Sequence, residues 1–100
     1  MKARLLLKEK IVLEDGAVVE LVLWELPEKT SDRLHGYKYR LYYGDVRGNC
    51  LVRYDNESGK GDHKHINGQE LPYQFVDRET LITDFKQDIS NYLNQGKKQR

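Results

Sequence analysis

The fold is decided by a ten-residue apolar run, Ala17-Val18-Val19-Glu20-Leu21-Val22-Leu23-Trp24-Glu25-Leu26. Only Glu20 and Glu25 interrupt the run. Such continuous apolar character predicts a central strand that is covered on both faces. Pro27 ends the strand, because proline has no N–H to donate to a strand ladder.

Alternating patterns on both sides of this run predict further strands. Residues 3–13 alternate apolar and charged side chains, and residues 37–43 and 50–55 alternate in the same way. Asp15-Gly16 follows the first of these segments and is a strong hairpin signal, because glycine tolerates a positive φ. We therefore predict an antiparallel meander with strands over 3–13, 17–26, 37–43 and 50–55. If the sheet has five strands, the fifth is a short one over 73–76.

The C-terminal segment has a helical period. Its apolar side chains fall on one face at spacings near 3.6 residues: Leu81, Ile82, Phe85, Ile89, Tyr92 and Leu93. Asp77 suits the N-cap, and Gly96 suits the C-terminal cap of a helix over about 78–95. Residues 1–100 are thus predicted to form one α+β domain, in which a four- to five-stranded antiparallel meander packs on one C-terminal helix.

Composition and charge exclude several classes of protein. The longest unbroken apolar run, Leu21 to Trp24, is too short to span a membrane. A single cysteine, Cys50, cannot form an internal disulfide and fits a reducing compartment. The formal net charge of +1 excludes a strongly basic, histone-like binder. We expect a cytoplasmic domain that does not associate with membranes.

Reactive side chains are concentrated in Gly59-Lys60-Gly61-Asp62-His63-Lys64-His65. Two imidazoles can divide the roles of general base and general acid, and Lys60 can stabilise charge on a phosphate. Asp62 or Asp55 could orient an imidazole. If the segment is extended, His63 and His65 point to one side and Asp62 and Lys64 to the other. The catalytic candidates are His63, His65, Lys60, Asp62 and Asp55.

Basic positions on the neighbouring strands favour a polyanionic substrate. Arg53 and Asp55 share a strand face opposite Val52 and Tyr54, and Lys38 and Arg40 could join them on the open side of the sheet. The predicted substrate-binding residues are Lys38, Arg40, Arg53, Tyr54, Asn56 and Lys64. The tyrosines of residues 37–43 fit either base stacking or packing against the helix.

Two other interpretations of the loop stay open. His63, His65 and Asp62 offer three ligands for zinc or manganese, but the pattern is short, and we assign neither a metal nor any other cofactor. A Gly-rich polar loop can also simply be solvated. The segment is not a Walker loop, because Gly59-Lys60-Gly61 lacks the required spacing and the following Ser or Thr.

Three segments together resemble the TumE-type proteins. They are the hairpin from Lys2-Ala3 to Asp15-Gly16, the strand Tyr37-Lys38-Tyr39-Arg40-Leu41, and the run from Tyr54-Asp55-Asn56-Glu57 through Gly59-Lys60-Gly61-Asp62-His63 to His65. The resemblance extends over about residues 1–93. TumE-type proteins are toxins of bacterial and archaeal two-gene modules, commonly beside a helix-turn-helix antitoxin. The resemblance implies a toxin and a protein partner, and it carries no assignment of catalytic residues.

Two classes of function follow. The first is a metal-independent endoribonuclease with RNA as its substrate and a cognate, helix-turn-helix antitoxin as its partner. The second is a non-enzymatic module that inhibits a protein target or acts as an antitoxin-bound co-repressor. In both cases the antitoxin is expected to cover the loop at 59–67 or an exposed sheet edge. A homo-oligomer is compatible with either class.

Overall fold

The computed structural model describes residues 2–31, 33–57 and 61–98. These residues form an antiparallel sheet of six strands followed by one helix. Each strand pairs with the next along the chain, so the sheet is a meander, as predicted. The elements are β1 (Arg4–Val12), β2 (Val18–Glu25), β3 (Tyr37–Gly44), β4 (Cys50–Asp55), β5 (His63–Ile66), β6 (Gln69–Pro72) and α1 (Arg78–Lys98).

The prediction of four or five strands was too low. No strand lies over 73–76, and the polar segment before it contributes β5 and β6 instead. Asn67 and Gly68 join these two strands with φ angles of 50° and 84°. Positive φ at both central residues is the geometry of the two-residue hairpin turn that Asn-Gly favours. The alternation of apolar and polar residues in β5 and β6 is hard to detect, because imidazole and ammonium side chains occupy most of β5.

Helix α1 packs on one face of the sheet, which we call the helix face. The core there includes Leu41, Tyr54, Leu81 and Phe85, each with no exposed surface. Asp77 caps the helix, since its Oδ1 accepts a hydrogen bond from Thr80 N at 2.7 Å. The helix continues past Gly96 to Lys98, so the prediction of a cap at Gly96 was wrong. Within the described part of the chain, no helix has the length and apolar content that crossing a bilayer requires.

The opposite side of the sheet, which we call the open face, is not covered by α1. Strand β2 therefore buries Leu21 and Leu23 on the helix face, while Val22 and Trp24 stay half-buried on the open face. The prediction that this strand is covered on both faces was wrong, because the single helix covers only one. On β3, Tyr39 and Tyr43 are buried in the core rather than free to stack on bases.

Candidate active site on the open face

The strand register assembles the candidate site from β3 to β6. In one row of cross-strand pairs, Arg40 lies opposite Asp55, and Asp55 lies opposite His63. In the next row, Arg53 pairs with His65, which in turn pairs with Glu70. Directly paired residues share a sheet face, so these side chains all lie on the open face. The two histidines lie on strand β5 and not in a Gly-rich loop.

His63 is held between two oxygen atoms. Its Nδ1 donates to the carbonyl oxygen of Gly61 at 3.1 Å, and its Nε2 lies 2.6 Å from Asp55 Oδ1. Because a carbonyl oxygen only accepts, Nδ1 carries a proton. The other ring nitrogen, Nε2, faces the Asp55 carboxylate. The side chains of His63 and Asp55 are only 9% and 8% exposed, which shields this ion pair from water.

His65 has the opposite hydrogen-bonding role. Arg53 Nη2 lies 2.9 Å from His65 Nε2, and a guanidinium can only donate, so Nε2 is the acceptor in this contact. The two imidazole rings are 5.1 Å apart between centroids. The site thus places a proton-donating imidazole next to a proton-accepting one, which is the arrangement that general acid–base chemistry needs.

Asp55 lies between two cationic groups. Its Oδ2 is 3.0 Å from Arg53 Nε, and its Oδ1 faces His63. Both are contacts of opposite charge without hydrogen-bond alignment, since Asp55 Oδ1 and Arg53 Nε are buried and have no hydrogen-bond partner among the described residues. Buried polar atoms normally have a hydrogen-bond partner, so these two atoms, each without one, mark the centre of the site.

A basic and partly apolar surface surrounds the centre. Lys38 and Arg40 are exposed on β3, and Lys38 pairs across the sheet with Trp24. The Arg40 guanidinium carbon lies 5.1 Å from the centre of the Tyr42 ring. Cationic side chains beside half-buried aromatic rings are suited to a single-stranded nucleic acid, which presents phosphates and bases together.

Three predicted binding residues lie away from this surface. Tyr54 is buried on the helix face, where its hydroxyl donates to Asp88, and burial and this hydrogen bond together raise its pKa well above the usual value. Lys64 lies on the same side, with Nζ 3.1 Å from Asp88 Oδ2. Asn56 is fully buried, and its Oδ1 accepts a hydrogen bond from the backbone N–H of Tyr39 on β3. None of the three can contact a substrate on the open face.

Asp62 also lies on the helix side. It accepts hydrogen bonds from the Tyr39 hydroxyl at 2.6 Å and from His35 Nε2 at 3.0 Å. The predicted alternation, with His63 and His65 on one side and Asp62 and Lys64 on the other, is therefore confirmed. Of the two carboxylates considered as orienting groups, Asp55 and not Asp62 contacts an imidazole of the pair. Lys60 lies outside the described residues.

Glu70 belongs to the site but is missing from the sequence-based candidates. Its Oε1 lies 3.8 Å from His63 Nε2 and 3.7 Å from His65 Nε2. One donor atom from each of these three residues lies within 4.8 Å of the others. Asn67-Gly68 was the indication of this pairing in the sequence, because a two-residue hairpin turn there places Glu70 directly opposite His65. Glu70, and not Asp62, is therefore the third potential ligand beside the two histidines.

A family model described as Toxin TumE matches residues 2–93 of the 100 residues, which confirms the resemblance drawn from the sequence. No curated protein matches the chain, and no solved structure matches it.

Proposed function

Because this chain belongs to the TumE toxin family, we propose that it acts as a toxin by cleaving RNA on the open face of its sheet. The observation that carries this proposal is the pair of imidazoles in opposite hydrogen-bonding roles beside Arg53. Membership of a toxin family also implies a cognate antitoxin. We propose RNA as the substrate because the surrounding surface is basic and aromatic.

The proposed reaction needs only the protein and RNA. His65 Nε2 accepts the proton of a ribose 2′-hydroxyl, and the 2′-oxygen forms a bond to the neighbouring phosphorus. The bond from phosphorus to the 5′-oxygen breaks, and His63 donates its Nε2 proton to that oxygen. The products are a 2′,3′-cyclic phosphate and a free 5′-hydroxyl. No water, metal or oxidant is consumed.

Arg53 and Asp55 support this reaction in different ways. Arg53 now donates to His65 Nε2, and a phosphate entering the site would draw the guanidinium away and free the base. The guanidinium would then stabilise the charge that develops on phosphorus. Asp55 holds the His63 ring in place through its contact with Nε2. Lys38 and Arg40 would bind flanking phosphates, and for Lys60 we keep the predicted role of stabilising the charge that develops on the reacting phosphate.

The test is cleavage of a single-stranded RNA by purified, untagged protein in EDTA. We expect cyclic-phosphate products, and no cleavage where the scissile nucleotide carries a 2′-deoxyribose. His63→Ala and His65→Ala should each reduce the rate at least 100-fold, the scale of general acid–base catalysis. His35→Ala is the matched control, because His35 also contacts a carboxylate but lies away from the open face.

RNA left intact by the wild-type protein, or cleaved equally well by both variants, would contradict the proposal. The alternative is a binding module that inhibits a protein target or serves as co-repressor with a helix-turn-helix antitoxin. The burial of His63 and Asp55 favours it, since such a pair can simply stabilise the sheet. Growth arrest by the wild type and by both histidine variants, without RNA cleavage, would support the binding module.

A further inference from the structure

We propose that His63, His65 and Glu70 form a Zn²⁺ site on the open face, and that Zn²⁺ bound there inhibits the RNA cleavage proposed above. The binding site is inferred from geometry alone. Only the inhibition rests on the proposed function.

The three donor atoms lie within 4.8 Å of one another, and both distances to Glu70 are near the spacing that zinc requires. Zinc binds imidazole nitrogen and carboxylate oxygen at roughly 2.0–2.2 Å, so ligand atoms around one tetrahedral ion lie roughly 3.3 Å apart. The distances from Glu70 Oε1 to the two histidine Nε2 atoms are 3.8 and 3.7 Å. The side chain of Glu70 is 60% exposed, so it can move by the few tenths of an ångström that separate these values.

The surroundings of His63 are those of a metal ligand. Its Nδ1 donates to the Gly61 carbonyl, and a hydrogen bond of this kind commonly fixes the ring so that Nε2 is directed at a metal. Asp55 supplies an independent indication of a bound cation. Its Oδ1 is buried, has no hydrogen-bond partner among the described residues, and lies 2.6 Å from the same Nε2. A Zn²⁺ ion bound at Nε2 would give Oδ1 the direct partner that it lacks among the described residues, while Arg53 Nε continues to face Oδ2.

Zinc binding and the proposed catalysis use the same two nitrogen atoms. Zn²⁺ would replace the proton on His63 Nε2 and take the lone pair of His65 Nε2 that Arg53 now contacts. The zinc-bound protein would therefore have neither its acid nor its base. Arg53 Nη2 would have to withdraw from His65 Nε2, which its 31% exposed side chain can do. Removing the Arg53 guanidinium by substitution should therefore strengthen zinc binding.

The first experiment is calorimetric titration of ZnCl₂ into untagged protein that has been stripped with EDTA, without RNA. We expect one Zn²⁺ per chain. Glu70→Gln and His65→Ala should weaken binding at least 10-fold, while Arg53→Ala should strengthen it. His35→Ala is the control and should bind as the wild type does. Because Glu70 is exposed, its substitution leaves the fold intact, and circular dichroism checks this for each variant. Absence of saturable binding, or equal affinity in Glu70→Gln, would overturn the site.

The second experiment adds Zn²⁺ to the RNA cleavage assay. Each protein is compared with its own cleavage rate without zinc. The wild-type protein should lose most of its rate, and Glu70→Gln should lose a smaller fraction of its rate at the same Zn²⁺ concentration. Equal inhibition of both would overturn the inhibitory role. Zinc binding by a protein that never cleaves RNA would refute the proposed function and leave the site standing. Cleavage by a protein that binds no zinc would do the reverse.

Discussion

Alkaline pH should destabilise this protein more steeply than its composition suggests, because three tyrosine hydroxyls are tied to carboxylates. Burial first, and then a hydrogen bond to an aspartate, raise the pKa of each tyrosine far above its usual value of 10.0. The three pairs are Tyr39 with Asp62 at 2.6 Å, Tyr54 with Asp88, and Tyr73 with Asp84 at 2.7 Å. Each hydroxyl can donate only while it keeps its proton.

The sign and the size of the effect follow from linkage. A pKa that is raised in the folded state gives a stability contribution that is complete below the unfolded pKa and declines as the pH rises above it. Above pH 10 the unfolded chain therefore releases protons that the folded chain retains. At pH 11 the buried Tyr39 and Tyr54 each lower the free energy of unfolding by about 1.4 kcal/mol, and the half-buried Tyr73 lowers it by less because solvent screens it, so the three together contribute roughly 3–4 kcal/mol. That is a large part of the 5–15 kcal/mol typical of a domain.

The assay is urea unfolding at fixed ionic strength from pH 8 to 11.5, followed by circular dichroism. Absorbance at 295 nm is recorded in parallel to follow tyrosinate. We expect tyrosinate from these three residues to appear only on unfolding. Tyr54→Phe should reduce the slope of stability against pH by about 1.4 kcal/mol per pH unit. A free energy of unfolding that is equal at pH 9 and pH 11, or an unchanged slope in Tyr54→Phe, would refute this reasoning.

Three substitutions test the scaffold by urea unfolding at pH 7. Asn56→Ala removes the side chain that accepts a hydrogen bond from the Tyr39 N–H and donates one to the Tyr37 carbonyl. The free energy of unfolding should fall by about 3 kcal/mol. A loss below about 1 kcal/mol would mean that water replaces the amide. Phe85→Ala creates a cavity at a fully buried position and should cost about 3–5 kcal/mol, and a smaller loss would indicate that the core collapses around it. Gly68→Ala meets no atom within 4 Å but has φ +84°, so backbone strain alone should cost about 1–2 kcal/mol, and an unchanged stability would contradict that turn geometry.

The sequence predicted the first four strands and the helix because their patterns are local. Period-two alternation fixes which side chains of one strand share a face, and the 3.6-residue stripe does the same for α1. Strands β5 and β6 were not predicted, because their open-face residues are histidine and glutamate and do not produce an apolar alternation. The remaining signal was Asn67-Gly68, which lies inside a polar segment that favours a loop on composition.

Alternation along each strand was enough to predict that Arg53 and Asp55 share a face and that His63 and His65 share a face. The pairing of Asp55 with His63, and the position of Glu70 beside both histidines, become visible only in the folded sheet. Parity along one strand is a local property, whereas register between strands depends on contacts between distant parts of the chain. Local alternation also places Tyr54 and Lys64, which are close in sequence to the site, on the other side of the sheet.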